Sequence, residues 1–234
     1  MNIFIDLDET LISTQRVDNA PLSPLLNSII PRRLKGIERM VAKREARRDI
    51  AQQLDEAVIQ KMNEEFTVRH SWDTHQNCRK KSILHNLIYE MHKPLGWKLY
   101  DIRGEAYLVK RRPNVIRVLR ELKKNHTLFV LTTATATYAD DILKMLRLKG
   151  YFEAIYSREN IRHSTSLNCV DRFLLIDNLG VNTIGVQSKL SFIGGFNSVH
   201  DDKHILISSY VGKDDDDWLE IPNKIDERVC REEL

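Results

Sequence analysis

The chain has 234 residues, of which 42% are hydrophobic and 29% are charged, and its formal net charge is +3. This length suits one domain with a large insertion, or one and a half domains, and the composition is typical of a globular protein. The sequence contains no apolar run of about 18 residues, so we expect no transmembrane helix and no membrane partner. A charge this mild does not by itself indicate nucleic-acid binding.

The three cysteines are scattered and form no Cys-x-x-Cys pair: Cys78, Cys169 and Cys230. This usage fits free thiols in a reducing compartment. Because the chain opens directly on a strand-like segment, we expect no signal peptide. We therefore expect a cytoplasmic protein, or a nuclear one in a eukaryote, and not a secreted one.

The first segment, Asn2–Ile5, is short and rich in β-branched and aromatic residues, which predicts a strand buried on both faces of a parallel sheet. It ends in Asp6 and Asp8, and residues two apart in extended chain point the same way. Two adjacent carboxylates repel unless a cation lies with them, and Mg²⁺ prefers such oxygen ligands. Ligands of open α/β sheets bind at this end of the strands. The alternative is a solvated turn with two chance aspartates.

The residues after this strand change in character. Prolines 21, 24 and 31 predict a loop, and residues 32–63 carry apolar side chains spaced by threes and fours, which predicts a long amphipathic helix. The first half of that helix, Arg32–Arg48, is rich in cations. It is either a solvated face or a surface for phosphate-rich ligands such as nucleic acid. The lack of aromatic residues in that half argues against base stacking.

A second helix is predicted over residues 81–92, and two alternating runs, residues 97–101 and 106–110, predict a β-hairpin. Three residues near the start of the second helix could in principle ligate zinc: His70, His75 and Cys78. Their spacing matches no usual zinc pattern, so we interpret them as ordinary loop residues.

Three further buried strands are predicted over residues 127–133, 154–157 and 173–178. The first of these ends in hydroxyls at Thr132 and Thr133, and the last ends in Asp177 and Asn178. Towards the C-terminus, residues 183–196 predict an extra hairpin and residues 204–207 a last short strand. The acidic run Asp214–Asp217 stands before Trp218, and we interpret it as helix capping rather than metal binding, because acids complement the dipole of a helix N-terminus.

The segment Asp6-Leu7-Asp8-Glu9-Thr10-Leu11 resembles the first motif of the haloacid dehalogenase superfamily of phosphohydrolases. More narrowly, the chain is similar to the small C-terminal-domain phosphatases, also called NLI-interacting-factor-like phosphatases. The hairpin followed by Arg111-Arg112-Pro113, the segment Val130–Ala134 and Asp177-Asn178 carry the rest of the likeness. The resemblance implies an α/β fold: a Rossmann-like three-layer sandwich with a parallel central sheet, a β-hairpin flap and a helical insertion that acts as a cap.

The same resemblance implies the roles of the residues at the strand ends. Asp6 would be the nucleophile that forms an aspartyl-phosphate, and Asp8 the general acid and base, roles that a pair of carboxylates can fill. A Thr at the tip of the second core strand binds a phosphoryl oxygen in this family, and the matching position is Thr133. The phosphate-binding set is Thr133, Ala134 and Asn178, and the Mg²⁺ ligands are Asp6, Asp8 and Asp177.

The family's third motif, a lysine that neutralises the phosphate and the nucleophile, is missing where it is expected. No lysine occurs between Gly150 and Asp177. The cations in that interval are Arg158, Arg162 and Arg172, and arginine can bind phosphate in a bidentate fork. We take Arg162 as the candidate.

These inferences predict a phosphatase core formed by residues 1–13 and 96–234, with a helical insertion over residues 14–95. The predicted activity is Mg²⁺-dependent hydrolysis of phosphomonoesters, and the resemblance implies phosphoserine or phosphothreonine of a phosphoprotein as substrate. Two alternatives stay open: a nucleotide or nucleic-acid-end phosphatase, and a catalytically impaired phosphate-binding module.

Overall fold

The computed structural model describes residues 1–17, part of the stretch 38–60, and residues 75–102, 105–163, 167, 172–194, 201–212 and 215–232. The chain divides into two compact units. The first unit comprises Met1–Ser13 and Arg111–Leu234, and the second comprises Thr14–Lys110. This division places the hairpin in the second unit, whereas the sequence grouped it with the phosphatase core.

The described strands, in chain order, are β1 (Asn2–Ile5), β2 (Ile12–Arg16), β3 (Lys98–Ile102), β4 (Glu105–Arg111), β5 (Thr127–Leu131), β6 (Ala154–Tyr156), β7 (Phe173–Asp177) and β8 (His204–Leu206). The described helices longer than one turn are α1 (His75–His92), α2 (Val115–Leu122), α3 (Ala136–Met145), α4 (Arg158–His163), α5 (Ile184–Gly194) and α6 (Ile221–Glu232). No helix in these ranges is long and apolar enough to cross a bilayer.

The first unit is built on a five-stranded sheet in the order β6-β5-β1-β7-β8, and the adjacent strands are parallel. Its central strands are apolar apart from Asn2 at the start of β1 and Asp177 at the end of β7, because helices cover a parallel sheet on both faces. Every residue of β7 is buried, as are the last three of β1. The predicted α/β fold class is therefore confirmed, and the central sheet carries the carboxyl ends of β1, β5 and β7 side by side.

The prediction of a hairpin over residues 183–196 is wrong, because Ile184–Gly194 form the helix α5. The buried residues of α5 recur at helical spacing at Val186, Leu190 and Ile193, and they pack against Phe4 and Leu175 of the sheet. Burial against the sheet outweighs the weak local preference of this glycine-flanked segment. The strand predicted at residues 204–207 is confirmed as β8.

The second unit contains a three-stranded sheet in the order β2-β4-β3, in which β3 and β4 form the predicted antiparallel hairpin. Helix α1 extends the helix predicted over residues 81–92 towards the N-terminus. The described residues between 38 and 60 are helical, as predicted. Ile50, Leu54, Ile88, Trp97 and Leu108 form the buried core of this unit.

Several sequence predictions concern residues outside the described ranges. The proline loop of residues 18–31, His70, the side chains of His75 and Cys78, and most of the cations between Arg32 and Arg48 lie there. Of that basic stretch, Arg44 and Arg48 are described, and both are exposed.

Candidate active site

Two buried carboxylates lie at the ends of neighbouring parallel strands. Asp6 follows β1 and Asp177 closes β7, and the register pairs Ile5 with Ile176. The main-chain N–H of Asp6 donates to the carbonyl oxygen of Ile176 at 2.9 Å, which continues the ladder beyond β1. Asp6 is 6% exposed and Asp177 is fully buried. The parallel register therefore holds both acids at the same edge of the sheet.

Lys189 bridges these two acids. Its ammonium Nζ donates to Oδ1 of Asp6 and to Oδ2 of Asp177, each at 2.6 Å. Lys189 lies on the buried face of α5, and its residue is 2% exposed. The aliphatic stem packs with the apolar face of the helix while the charged end reaches the carboxylates. The arrangement is a water-excluded ion triad, in which the charge interactions are strong.

Two opposing effects, burial and charge pairing, set the pKa values of Asp6 and Lys189. Burial raises the pKa of Asp6 to about 7, with Asp177 and Asp8 adding to the rise and the ammonium of Lys189 opposing it. Burial disfavours the charge on Lys189, but the carboxylates of Asp6 and Asp177 outweigh it and raise the lysine pKa above its ordinary value. Lys189 therefore stays cationic, and the acids around it still repel one another.

Asp8 lies at the edge of this cluster and is half-buried. The phenol Oη of Tyr138, in the first turn of α3, donates to Oδ1 of Asp8 at 2.8 Å. A hydrogen bond from a neutral donor stabilises the ionised carboxylate and fixes its rotamer. The hydrogen bond from Tyr138 therefore fixes the orientation of the Asp8 carboxyl group.

Thr10 and Asn178 connect the turn after β1 to the end of β7. The hydroxyl Oγ1 of Thr10 lies 3.5 Å from Oδ2 of Asp6 and 3.2 Å from the amide oxygen of Asn178. The amide nitrogen of Asn178 donates to Glu9 at 3.2 Å and to Ser209 at 3.0 Å. Both ends of the Asn178 amide are therefore engaged by protein groups, which fits an orienting residue better than a direct phosphate ligand.

The loop after β5 presents Thr133 to solvent. Thr132 is buried, and its hydroxyl accepts a hydrogen bond from the N–H of Ala134 at 3.1 Å, so that side chain serves the loop. Thr133 is exposed, and its carbonyl accepts from Nε of Arg158 at 2.8 Å. Of the adjacent hydroxyls, Thr133 is the one whose side chain faces outward.

Comparison with known protein families identifies the family to which the chain belongs. The sequence profile described as NLI interacting factor-like phosphatase matches residues 65–228, that is 164 of the 234 residues. The chain belongs to the NLI interacting factor-like phosphatase family. This match confirms the family that the sequence resembles. The matched residues include Thr133, Asp177 and Lys189 and begin after Asp6 and Asp8.

Several solved structures are similar to this chain at low sequence identity. Two structures of the RNA polymerase II CTD phosphatase Fcp1, one of them from fission yeast and bound to beryllium fluoride, match at 14% identity with a TM-score of 0.43. They align with 100% of this chain, which spans about half of their length, 50% and 49%. A HAD-superfamily hydrolase from Ehrlichia chaffeensis matches at 12% identity and a TM-score of 0.42, over 97% of both chains. Comparison with the curated protein sequences finds no match.

The cation that contacts the buried acids is a lysine that the sequence analysis does not include. Arg162 is exposed on the short helix α4, whereas the ammonium that contacts Asp6 belongs to Lys189, after the fourth motif rather than before it. The family resemblance places the lysine before the fourth motif, and the sequence predicts a hairpin for the segment that holds Lys189. A helical period over residues 186–193 places one lysine on an otherwise apolar face, and that pattern was the available signal.

Mg²⁺ is the ion that the sequence predicts for this site, and carboxyl groups are ligands of the kind that this ion prefers. Within the described ranges, no three His, Cys, Asp or Glu side chains converge as a complete metal cage. Mg²⁺ does not require one, since it is usually held by one or two carboxylates with waters and substrate oxygens. Asp6, Asp8 and Asp177 provide three carboxyl groups, and the ammonium of Lys189 contacts two of them, those of Asp6 and Asp177. Their hard oxygen donors fit a divalent cation.

Proposed function

We propose that this phosphatase hydrolyses phosphomonoesters through an aspartyl-phosphate formed on Asp6. The observation that supports it best is the buried ion triad, in which Lys189 contacts Asp6 at the carboxyl edge of the parallel sheet. An ammonium fixed beside a nucleophilic carboxylate lowers the repulsion that an incoming phosphoryl dianion meets. It also stabilises the charge on the transferring group, with no reorganisation during reaction.

In the proposed first step, a carboxylate oxygen of Asp6 attacks phosphorus, and the bond between phosphorus and the ester oxygen breaks. Asp8 gives its proton to the leaving oxygen and becomes a carboxylate. In the second step, water attacks the phosphoryl group of phospho-Asp6, and Asp8 takes the proton of that water. Free Asp6, protonated Asp8 and inorganic phosphate result. The contact from Tyr138 supports this role, because it orients the carboxylate that must move the proton.

We assign the third-motif role to Lys189 in place of Arg162. In this proposal Thr133 and the main chain of Ala134 bind the phosphoryl oxygens, while Asn178 orients the turn that carries Asp6. Two observations support these roles: the side chain of Thr133 is exposed, and the amide of Asn178 is hydrogen-bonded at both its oxygen and its nitrogen.

Asp6, Asp8 and Asp177 would hold Mg²⁺, with Lys189 neutralising the remaining charge. When bound, the ion supplies positive charge that offsets the phosphoryl oxygens. The hard oxygen donors of these three carboxyl groups support this assignment.

For the substrate, we propose phosphoserine or phosphothreonine in a protein, on the family relationship. Residues 14–95 would act as a cap over a core of residues 1–13 and 96–234. A nucleotide or nucleic-acid end is the second candidate, on the basic character of Arg32–Arg48. We also propose a cytoplasmic or nuclear location, which the free and exposed thiol of Cys230 supports.

A substrate panel tests the proposal. Phosphate release is measured from p-nitrophenyl phosphate, phosphoserine and phosphothreonine peptides, nucleoside monophosphates, sugar phosphates and an oligonucleotide with a terminal phosphate. The expected result is turnover of phosphopeptides that Asp6→Asn abolishes and that Asp140→Asn, an exposed control on α3, retains. Preferential turnover of nucleotides would change the substrate class. Binding of inorganic phosphate without any turnover would instead establish a binding module.

A further inference from the structure

Arg112 is a charged residue that is fully buried outside the ion triad of the site. It lies one residue after β4, in the first unit. Its Nε donates to Asp215 at 2.8 Å, and Nη2 donates to Oγ of Ser208 at 2.8 Å and to Asp217 at 3.2 Å. Nη1 donates to the carbonyl oxygens of Ser208 at 2.9 Å and of Thr10 at 3.3 Å. All five N–H donors of the guanidinium therefore have acceptors.

The acceptors of Arg112 join the C-terminal part of the unit to the turn that follows Asp6. Nε1 of Trp218 donates to the same Thr10 carbonyl at 3.0 Å, and the main-chain N–H of Arg112 donates to the carbonyl of Leu11 at 2.9 Å. The carbonyl of Glu9 accepts from the N–H of Tyr210 at 2.6 Å. Three consecutive carbonyls of the turn are thus held from outside it.

The turn needs such support because its backbone is strained. Glu9 has a φ of 58°, in the left-handed region that non-glycine residues rarely adopt. Strain of this kind persists only where the surrounding structure fixes it, and it is concentrated at functional sites. The hydrogen bonds to the carbonyls of Glu9, Thr10 and Leu11, and the one from Asn178 to the Glu9 carboxylate, hold the turn in this conformation.

The Glu9–Leu11 turn also fixes the carboxylate of Asp6. The hydroxyl of Thr10 faces Oδ2 of Asp6, while Lys189 holds Oδ1. A shift of the Thr10 backbone therefore moves a group that touches the reacting carboxylate. The acidic run also takes a role other than the helix capping expected from the sequence. Asp215 and Asp217 pair with Arg112. Asp216 is the N-cap of the short 3-10 helix Asp217–Glu220, and its side chain makes no capping hydrogen bond.

We infer that Arg112 is a positioning residue for the nucleophile: it clamps the Glu9–Leu11 turn to the segment Ser208–Trp218 and so sets the orientation of Asp6. The inference rests on the proposed function, because it assumes that Asp6 reacts. Its distinguishing consequence is a loss of turnover without a matching loss of substrate binding, since none of the hydrogen bonds of the clamp given above involves Thr133 or Ala134.

The test uses two variants and a control matched for stability. Trp218→Phe keeps an apolar ring and removes the N–H that reaches Thr10, and Arg112→Lys keeps the charge but cannot fill five acceptors. The control, Ile225→Ala, truncates a fully buried side chain of α6, a helix that supplies none of the hydrogen bonds to the turn given above. For each, kcat and KM are measured on p-nitrophenyl phosphate together with the melting temperature. Hydrogen–deuterium exchange is followed in the peptide spanning residues 6–12.

We expect both variants to lower kcat about tenfold or more with KM nearly unchanged, because displacing a reacting group by about 1 Å can cost on the order of 10²-fold. Exchange of the Leu11 and Ile12 amides should accelerate in both variants and not in Ile225→Ala. If kcat falls no further than in the control, or if the control accelerates the same amides equally, the clamp is refuted.

Two outcomes separate this inference from the proposed function. If Arg112→Lys does not fold, Asp215→Ala decides in its place, with the same expected loss of kcat and faster exchange, because it removes the acceptor of Nε and leaves the arginine itself in place. If wild type hydrolyses no phosphoester, the proposed function fails. The exchange measurement then still decides the clamp, because it does not depend on activity.

Discussion

Lys189→Met is the perturbation that probes the site most sharply. Methionine keeps the length and apolar stem of lysine and removes only the ammonium that contacts Asp6 and Asp177 at 2.6 Å. The variant leaves two buried carboxylates facing each other with Asp8 nearby. Both the stability of the fold and the turnover of substrate should respond, and they should respond differently to pH.

The magnitude follows from the burial of the group. Removing one partner of a buried ion pair costs about 3–5 kcal/mol, because the remaining charge is uncompensated. This is a large fraction of the roughly 5–15 kcal/mol that stabilises a typical domain, so the variant should fold but melt early. Turnover should fall about 10²- to 10³-fold, the scale of one lost electrostatic contact to a developing charge.

The pH dependence gives the stability effect a definite sign. The pKa of Asp6 is already raised to about 7 by burial and rises further without the ammonium, while in the unfolded chain it returns to its ordinary value near 3.8. Between these values the folded state binds more protons than the unfolded state, so stability falls as pH rises. The defect of Lys189→Met should therefore be largest above neutral pH and shrink towards pH 5.

The assay is urea unfolding at several pH values, with kcat measured on the same preparations. Lys144→Met is the matched control: Lys144 contacts Asp140 at 2.5 Å on the exposed face of α3, where an ion pair adds little to stability. Equal unfolding midpoints for Lys189→Met and wild type at pH 8, or an unchanged kcat, would refute the assignment of Lys189. So would a defect that grows as the pH is lowered.

Further outcomes follow from the same geometry. Asp6→Asn should raise the free energy of unfolding at pH 8 by about 1–4 kcal/mol and have no such effect below pH 4, because a pKa near 7 disfavours the ionised buried carboxylate; urea unfolding checks this. Tyr138→Phe should lower kcat roughly 10- to 100-fold, the equivalent of losing a hydrogen bond to a charged group of about 1.5–3 kcal/mol, and lower the melting temperature by only a few degrees. Arg162→Ala should leave kcat unchanged, since its side chain is exposed. A chelator should abolish activity, Mg²⁺ should restore it, and Mg²⁺ should raise the melting temperature of wild type but not of Asp177→Asn.

The sheet was predictable because its central strands are buried on both faces. Continuous apolar runs such as Phe173–Ile176 have few alternative structures, and the polar residue that ends each run marks the edge where ligands bind. The hairpin was also predictable, since alternation along β3 and β4 depends on local sequence alone.

Lys189 could not be placed by order along the sequence, because a charge can reach a site from any element that packs over it. The segment around it carries glycines and β-branched residues, so its local preference does not favour a helix, and packing against Phe4 and Leu175 decides. Arg112 is a similar case, because its partners Thr10 and Asp215 lie about a hundred residues away in opposite directions along the chain. No local sequence pattern indicates these two contacts.

The most direct test of the account is the detection of a phosphoryl group on Asp6. Wild-type protein is mixed with a phosphoester that it hydrolyses, and the reaction is quenched in acid within the first turnovers. The protein is then digested, and the peptide containing Asp6 is examined by mass spectrometry before and after borohydride reduction. The account predicts a phosphorylated Asp6 that borohydride converts to homoserine, and no adduct in Asp6→Asn. Steady hydrolysis without any adduct on Asp6, together with near wild-type turnover of Asp6→Asn, would contradict it.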